Sequence, residues 1–230
     1  MSLGIAIVGC GKMGRLLEQL APEFDCEVRA RFDSSSIDTL SAATLRGARV
    51  AVEFTQGIAA PENLMHLASL GVNAVCGTTG WADELSAVRQ SVNASGTALV
   101  WSANFSVGVN VFFKTVAQAA AFFAKYPEYD AWGWEIHHAA KKDAPSGTLK
   151  RLAEEMKASG YTRTVTLAAN RAGAHPGTHE IGFDSAADTI TLRHTARSRE
   201  GFARGALRAA RWIEGKRGVH EFHEILAELS

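Results

Sequence analysis

Residues 5–14 read I-A-I-V-G-C-G-K-M-G, a short apolar run that leads directly into the spacing G-x-G-x-x-G. The first four residues predict a buried β-strand, and the residues from Lys12 onward predict a helix. A second strand-like run, 27–32, ends at Asp33, which lies 19 residues after Gly14. In dinucleotide-binding units such glycines let the backbone approach a pyrophosphate, and an acid at this distance binds the ribose. The stretch therefore predicts dinucleotide binding, with a tight turn in an unrelated α/β domain as the alternative.

Strands and helices alternate in the part of the chain that follows this stretch. Strand-like runs at 49–54, 73–76 and 98–101 are separated by helical segments at 61–70 and 83–92. This alternation favours a parallel sheet with helices on both faces, and such sheets bind ligands at the carboxyl ends of their strands. The segments expected at those ends are Gly9–Gly14, Asp33, Glu53–Thr55, Gly77–Thr79 and Ala103–Phe105.

The regular alternation of strands and helices ends after Asn104. A long helix near 107–125 and a strand at 129–137 precede a helix after Ser146, and three further strand-like runs follow. We predict an α/β protein: an N-terminal Rossmann-like parallel sheet, and a second α+β domain carrying an open mixed sheet. The expected domains are 1–104 plus 199–230 for dinucleotide binding, and 105–198 for substrate binding and oligomerisation. The open sheet needs cover, which self-association can provide.

Bulk properties exclude several function classes. The formal net charge is zero, which gives no electrostatic argument for binding nucleic acid or an anionic membrane. The three cysteines are odd in number and lack a C-x-x-C pair, which is typical of a reducing cytoplasm. The start of the chain shows no signal-peptide pattern, and the apolar stretch 107–124 is interrupted by polar residues. We therefore expect a cytoplasmic protein without a membrane partner.

The segment Glu135–Thr148 reads E-I-H-H-A-A-K-K-D-A-P-S-G-T and carries most of the chemistry. His137 and His138 can supply protons near neutral pH, and Lys141 brings a compact positive charge. Gly147 and Thr148 open a predicted helix, whose free N–H groups bind anions. Such a segment can hold a small carboxylate while protonating it. The plainer alternative is one core histidine and one surface histidine, because successive strand side chains point to opposite faces.

Other polar residues are less decisive. Lys141 and Lys142 could both be solvated loop charges, and Asp143 or Ser146 could be a simple helix cap. The histidine pairs His175/His179 and His220/His223 have no accompanying cysteine pair or H-E-x-x-H, so we predict no metal. An arginine is expected near a carboxylate pocket, and the sequence alone does not choose between Arg171, Arg197 and Arg199.

Taken together, the chain resembles the 4-hydroxy-tetrahydrodipicolinate reductase family, also called dihydrodipicolinate reductase. The resemblance rests on the segment 135–148, on G-T-T-G at 77–80 and A-N-F-S-V-G-V-N at 103–110, and on R-A-G at 171–173 and S-R-x-x-F-A-x-G-A at 198–206. These motifs occur in the family's order and span nearly the whole chain.

The resemblance implies an oxidoreductase of lysine and diaminopimelate biosynthesis that uses NADH or NADPH on a cyclic imine dicarboxylate and forms a homotetramer. It implies that His137, as imidazolium, donates the proton and that Lys141 assists. It also implies substrate binding by His138, Gly147, Thr148 and Arg199. The cofactor residues expected from the motifs and the resemblance are Gly9, Gly11, Lys12, Met13, Gly14, Asp33, Thr55, Gly77, Thr78, Thr79, Ala103, Asn104 and Phe105.

The chain departs from the family pattern at the cofactor side. The stretch Glu53-Phe54-Thr55 stands where an aspartate is common, Gln56 stands where an arginine is common, and the segment 33–53 is short. Asp33 would repel the 2′-phosphate of NADPH, and no basic residue follows it directly. Arg31 shares its side of the strand and could turn toward a phosphate. We predict that NADH is preferred and NADPH is also used. The alternatives are another Rossmann-type oxidoreductase or a non-catalytic dinucleotide sensor, which would need neither His137 nor Lys141.

Overall fold

The computed structural model describes residues 2–229. The chain forms two compact units. One unit ends at Val107 and resumes at Glu200, and the other comprises Gly108–Arg199. The described residues contain no helix with both the length and the apolar character that crossing a bilayer requires.

The first unit is built on a six-stranded sheet in which every pairing is parallel. Its central strands are fully buried and rich in β-branched residues, as expected for a parallel sheet covered on both faces. The order β2-β1-β3-β4-β5-β10 confirms the predicted Rossmann-like architecture. The strands are β1 Leu3–Val8, β2 Cys26–Phe32, β3 Val50–Glu53, β4 Asn73–Cys76, β5 Ala98–Trp101 and β10 Gly218–Glu221.

Helices cover both faces of this sheet, as predicted. Two of the helices contribute Leu17 and Leu207 to one hydrophobic core, and two others contribute Leu64 and Val88 to the core on the opposite face. The first pair is α1 Lys12–Leu20 and α6 Glu200–Trp212, with the short α7 Phe222–Ile225 beside it; the second pair is α2 Ala60–Ser69 and α3 Leu85–Ser95. The connection from β2 to β3 contains a single 3-10 turn, Ile37–Thr39, in agreement with the short segment noted in the sequence.

The strand β10 is the element that the sequence did not reveal. It has the sequence G-V-H-E, lies half-buried at the edge of the sheet and pairs in parallel with β5. A four-residue strand without a run of apolar side chains carries little periodic signal. This part of the tail adds a sixth strand to the sheet.

The second unit carries the predicted mixed sheet, with order β7-β6-β8-β9. The β6–β7 pair is parallel, and the other two pairs are antiparallel. One face packs on apolar side chains of two helices, among them Phe113 and Leu149, around Ile181 and Phe183. The strands are β6 Asp130–His137, β7 Val165–Arg171, β8 Thr178–Asp184 and β9 Thr189–Thr195; the helices are α4 Val107–Phe123 and α5 Gly147–Ala158.

The alternation along β6 decides what each face of this sheet presents. Glu135 and His137 belong to the buried positions, whereas Trp132, Trp134 and Ile136 point to the other face and are only partly buried. Trp132 lies directly against Gly182, where an added Cβ would come within 2.2 Å of the indole ring. The second face therefore presents a strip of apolar and aromatic side chains along β6, beside more polar strands, without a covering helix among the described residues.

Candidate active site

The first group of candidate residues, the glycine-loop site, comprises Gly9–Gly14, Asp33 and the residues directly after β3, β4 and β5. Gly9 has φ +103°, and a Cβ there would lie 2.2 Å from the Phe54 carbonyl oxygen. A Cβ on Gly14 would lie 2.2 Å from the Gly9 carbonyl oxygen. Both positions therefore require glycine for the turn itself.

Gly11 differs from these two glycines because it faces open space. It is the N-cap of α1, no side chain caps the helix there, and a Cβ would meet no atom within 4 Å. Lys12 is exposed and Met13 is half-buried at the start of the helix. The bare helix N-terminus leaves N–H groups and room for an anion, which is the arrangement that a dinucleotide pyrophosphate requires.

Asp33 follows β2 and is exposed. Its Oδ1 accepts hydrogen bonds from the Ser35 N–H at 2.9 Å, the Ser35 hydroxyl at 2.7 Å and the Ser36 hydroxyl at 3.0 Å. These bonds, led by that from the Ser35 hydroxyl, hold the pKa of the Asp33 carboxyl below its ordinary value. The carboxylate is therefore charged at neutral pH, as required for a ribose-binding acid.

The Arg31 guanidinium already forms an ion pair with a carboxylate. Its Nε lies 3.0 Å from Glu18 Oε1 on α1, and its Nη2 contacts the same oxygen. The sequence left open whether this guanidinium could turn toward a phosphate near Asp33. In the structure it would first have to leave Glu18.

The ends of β3 and β4 are fastened to each other through Glu53, which is fully buried. Glu53 accepts hydrogen bonds from the Thr55 hydroxyl, from the Thr55 N–H at 3.2 Å and from the Cys76 thiol at 3.1 Å. The Thr55 N–H also lies 2.7 Å from the Thr78 hydroxyl oxygen. Burial, followed by the nearby Glu53 charge, raises the pKa of the Cys76 thiol well above its ordinary value. The thiol is therefore a hydrogen-bond donor here and not a nucleophile.

Gly77 and Thr79 complete this edge of the sheet. A Cβ on Gly77 would lie 2.1 Å from the Phe54 ring, so the glycine is needed for that ring to pack. Thr79 is exposed, whereas Thr78 is buried. Thr79 is therefore the threonine whose side chain is available to a ligand, and Thr78 acts mainly by holding Thr55.

After β5, Ala103 is exposed and Asn104 is half-buried, but Phe105 is only 1% exposed. The Phe105 ring packs 4.8 Å from the Phe222 ring and 6.3 Å from the Phe54 ring, measured between centroids. Its side chain therefore belongs to the core of the first unit. Only the backbone of Phe105 can therefore line a ligand site.

The second group, the histidine site, comprises His137, His138, Lys141, Gly147 and Thr148. His137 ends β6 and is 7% exposed. Its ring centroid lies 5.0 Å from that of His179, and a Cβ on Gly177 would come within 2.9 Å of its Nε2. The ring is thus packed against backbone that only a glycine allows, and Gly177 has φ +141°.

Burial and neighbouring charges shift the pKa of His137. Burial, followed by repulsion from His179, lowers the pKa of the His137 imidazole to about 4, although Glu135 opposes the shift. Lys141 and Arg171 lower it further. In the protein without a bound ligand, burial and the neighbouring positive groups therefore disfavour the imidazolium form of His137.

Glu135 is the centre of this site, although the sequence analysis did not select it. It is fully buried, and its Oε1 accepts hydrogen bonds from the Ser146 N–H at 2.8 Å and Arg171 Nη2 at 2.7 Å. Its Oε2 accepts the Ser146 hydroxyl and lies 3.3 Å from His179 Nε2. Burial alone would raise the pKa of Glu135, but the bonds from His179, Ser146 and Arg171 outweigh it and hold this pKa well below its ordinary value.

Lys141 and the start of α5 form the cationic side of the site. Lys141 Nζ lies 2.7 Å from Asp143 Oδ1. This bond is the main reason that the pKa of Asp143 is lowered, and the Gly147 N–H contributes to the same shift. A carboxylate of the protein itself therefore already contacts the lysine and the helix start that were predicted to bind a substrate carboxylate.

Ser146 caps α5, and its hydroxyl oxygen accepts the Leu149 N–H at 3.2 Å. Gly147 is exposed, with no atom within 4 Å of an added Cβ, and Thr148 is half-buried. His138 is half-buried just past the strand, and its carbonyl oxygen accepts the Lys141 N–H at 3.1 Å. Arg199 lies exposed at the far end of the second unit, directly before α6.

Glu135, His137 and His179 place one potential metal-ligand atom each within 4.8 Å of one another. The hydrogen bonds argue for a different use of this cluster. Each Glu135 oxygen already has two protein donors, and one of these is a guanidinium that a cation would have to displace. The donor set is that of a hydrogen-bonded carboxylate with cationic neighbours.

Three residues of the histidine site were missed or given another role in the sequence analysis. Glu135 was treated only as the start of a motif, His179 was considered only as a zinc ligand, and Gly177 was not selected. One signal was present: Glu135 and His137 are two apart on a strand, so they share its buried face. A carboxylate at a buried strand position needs partners, and that requirement indicates a polar network.

Comparison with known proteins gives matches along nearly the whole chain. Residues 3–105 match the family described as "Dihydrodipicolinate reductase, N-terminus", and residues 108–226 match "Dihydrodipicolinate reductase, C-terminus". The chain is 32% identical over 240 residues to the 4-hydroxy-tetrahydrodipicolinate reductase of Christiangramia forsetii, covering 99% of each chain. It is 33% identical over 263 residues to the enzyme of that name from Methanosarcina mazei, covering 97% of this chain and 99% of the relative.

A solved structure shares the fold. It is the dipicolinate-bound dihydrodipicolinate reductase from Paenisporosarcina sp. TG-14, which superposes with a TM-score of 0.83 at 21% identity. The superposition covers 98% of this chain and 100% of the other.

Proposed function

Because the chain belongs to the dihydrodipicolinate reductase family, we propose that it reduces 4-hydroxy-tetrahydrodipicolinate to tetrahydrodipicolinate with NAD(P)H. This reaction is a step of lysine and diaminopimelate biosynthesis. The observation that carries the proposal is the histidine site, where a buried imidazole, a lysine and a helix N-terminus belong to one short segment of one unit. These are a proton donor and two anion-binding groups, which fit a dicarboxylate that must be protonated.

The glycine-loop site fits a nicotinamide dinucleotide. Gly11 leaves open space at a bare helix N-terminus for the pyrophosphate, and Asp33 offers a charged carboxylate for ribose hydroxyls. Thr79, Ala103 and the backbone of Gly77, Asn104 and Phe105 would line the nicotinamide ring. When bound, the nicotinamide supplies the hydride for the reduction.

His137 would provide the proton. Its imidazole is neutral in the ligand-free protein because burial and neighbouring positive groups disfavour the cation. A bound dicarboxylate brings two negative charges, which favour the imidazolium and raise the pKa of His137. We infer that the substrate itself draws the proton onto His137, so that the acid is present when the substrate is in place. Reduction then adds one hydride and one proton and releases one water from the hydroxylated carbon.

Lys141 and the N–H groups of Gly147 and Thr148 would hold one carboxylate, with His138 as a further donor. In the ligand-free protein Asp143 pairs with Lys141, so the substrate carboxylate would replace the Asp143 carboxylate at this lysine. Arg199 is proposed as a substrate residue only on the family resemblance.

We propose NADH as the preferred cofactor, with NADPH used less well. Asp33 remains charged and would repel a 2′-phosphate, while Glu18 holds the nearby Arg31. Initial-rate measurements of kcat/KM for both cofactors, at the same dicarboxylate concentration, test this proposal. A higher value for NADPH would contradict it.

We further propose a cytoplasmic homotetramer assembled through the second unit. The face of the mixed sheet that carries Trp132, Trp134 and Ile136 is the surface to be covered, since aromatic residues are enriched in interfaces. The free thiols of Cys10, Cys26 and Cys76 are in keeping with a reducing compartment. Sedimentation velocity at micromolar concentration should show a tetramer, and a monomer would refute the assembly.

The decisive experiment for the reaction is a coupled assay. The unstable substrate is generated in situ from pyruvate and aspartate semialdehyde by a synthase, and cofactor oxidation is followed by absorbance. Oxidation that depends on both the synthase and this protein supports the proposal. Oxidation of NADH with a sugar or an amino-acid-derived substrate instead would indicate a different oxidoreductase, and cofactor binding without any turnover would indicate a sensor.

A further inference from the structure

A single carboxylate connects four separate elements of the second unit. Glu135 lies on β6, and it binds Ser146 at the start of α5, Arg171 at the end of β7 and His179 on β8. A fully buried charge is costly unless it is paired and hydrogen-bonded, so the charge of Glu135 favours keeping these donors in place around it.

Two of the residues that bind Glu135 adjoin the groups that are proposed to bind the substrate. Ser146 uses both its N–H and its hydroxyl on Glu135, which fixes the first turn of α5, where Gly147 and Thr148 lie. Arg171, held by Glu135, also donates to the Asp143 carbonyl oxygen, so it restrains the loop that carries Lys141. The Glu135 carboxylate therefore restrains both proposed anion-binding groups, the start of α5 and the Lys141 loop, without belonging to either.

Glu135 also faces the proposed proton donor. Its Oε2 lies 3.8 Å from His137 Nδ1, which is too far for a hydrogen bond but close enough for electrostatic attraction. The other charged or titratable groups that act on His137 are His179 from β8, Arg171 from β7 and Lys141 from the loop after β6. Among these neighbours Glu135 is the one that favours the imidazolium.

We propose that Glu135 is a positioning residue for the proposed reduction: it orients the start of α5 and the Lys141 loop for the substrate carboxylates, and it supports protonation of His137. This inference rests on the proposed function, and it assigns to Glu135 no direct contact with the substrate.

The substitution Glu135→Gln tests the proposal because it keeps the size of the side chain and removes its charge. An amide offers one acceptor oxygen, so its NH₂ group would face two of the four donors. We expect kcat/KM for the dicarboxylate to fall about a hundredfold or more, since two buried hydrogen bonds to a charge are lost. We expect the Kd for NADH to change less than about twofold, because the glycine-loop site lies in the other unit.

The pH profile separates positioning from general structural damage. Because the Glu135 charge favours the imidazolium, the decline of kcat with rising pH should begin at lower pH in Glu135→Gln than in the wild type. Glu135→Asp keeps the charge on a shorter side chain, so it should restore the wild-type pH profile while KM for the dicarboxylate stays raised. Glu155→Gln is the matched control, because Glu155 is a partly exposed residue of α5 that pairs with Arg151 at 3.3 Å. It should leave every parameter near the wild-type value.

Two further measurements keep the outcomes distinct. If Glu135→Gln does not fold, Ser146→Ala removes one donor to Glu135 and should raise KM for the dicarboxylate severalfold with NADH binding unchanged. Calorimetric binding of pyridine-2,6-dicarboxylate does not depend on turnover, so weaker binding to the Glu135 variants would support positioning even if the wild type lacked the proposed reductase activity. A wild-type KM together with a wild-type pH profile in Glu135→Gln would overturn the inference, as would an unchanged KM in Ser146→Ala.

Discussion

The glycine-loop site and the histidine site are built by opposite means. In the first, the backbone does the shaping: Gly9 and Gly14 permit a turn that no other residue fits, and Gly11 leaves a helix N-terminus bare. In the second, a side chain holds the parts together: one buried carboxylate, Glu135 on β6, binds the start of α5, the end of β7 and a residue of β8. A site made of backbone depends on space, whereas a site made of buried charge depends on complete pairing. The two sites should therefore respond differently to substitution.

The largest expected effect comes from removing the proposed proton donor. His137→Gln should lower kcat by about 10²–10⁴-fold, because a general acid typically contributes that much. Lys141→Ala should also lower kcat, because the lysine is proposed to assist the reaction, and it should raise KM for the dicarboxylate, because the lysine is proposed to hold a carboxylate. Both variants should bind NADH as the wild type does, measured by fluorescence titration. A kcat near the wild-type value in both variants would contradict the proposed roles of His137 and Lys141.

A pair of glycine substitutions sharpens the comparison. Gly11→Val and Gly147→Val each place a side chain in open space, so neither should change the free energy of unfolding by more than about 0.5 kcal/mol. Gly11→Val should weaken NADH binding about ten- to a hundredfold and leave dicarboxylate binding unchanged, because it blocks approach to the helix N-terminus. Gly147→Val should do the reverse. If either variant weakens both ligands equally, the two sites are not independent.

The pH dependence of the free energy of unfolding tests the histidine site, which is built from buried side chains. Burial lowers the pKa of His137 from 6.5 to about 4, so between these values the unfolded chain binds more protons than the folded one. Stability from this group is therefore present above pH 6.5 and is lost as the pH falls toward 4, on the order of 2 kcal/mol. Urea unfolding at pH 7.5 and 4.5 should show a smaller loss in His137→Gln than in the wild type. An equal loss in both proteins would mean that another group titrates.

The smallest expected effect concerns Asp143, which contacts Lys141 in the ligand-free protein. An exposed ion pair contributes about 0.2–1 kcal/mol, so Asp143→Asn should lower KM for the dicarboxylate by a factor of about 1.5 to 5. The expected kcat is unchanged, because Asp143 leaves Lys141 before the reaction. A raised KM would show that Asp143 supports the loop more than it competes with the substrate.

The same contrast explains what the sequence could predict. The spacing from Gly9 to Gly14 and the position of Asp33 are local consequences of a strand, a turn and a helix, so they predict the Rossmann-like sheet and its ligand edge. The segment from His137 to Thr148 is also local, and its proposed proton donor and cation follow from residue type. Glu135, Gly177 and His179 become a site only when β6 and β8 pair, and no spacing in the chain encodes that pairing register. The lowered pKa of His137 was missed for the same reason, since burial is a property of the packed unit.

The route of the chain through the first unit has a consequence for its synthesis. The strand β5 is complete at Trp101, but its outer neighbour β10 begins only at Gly218, and α6 comes just before it. The whole of the second unit lies between them. At the usual 5–20 residues per second, a ribosome needs roughly 5 to 20 seconds to make the intervening 92 residues, 108–199. For that interval the nascent first unit displays an unpaired strand edge and a half-covered core, which are features that attract chaperones and promote aggregation. The second unit, being continuous, can fold before the first is finished.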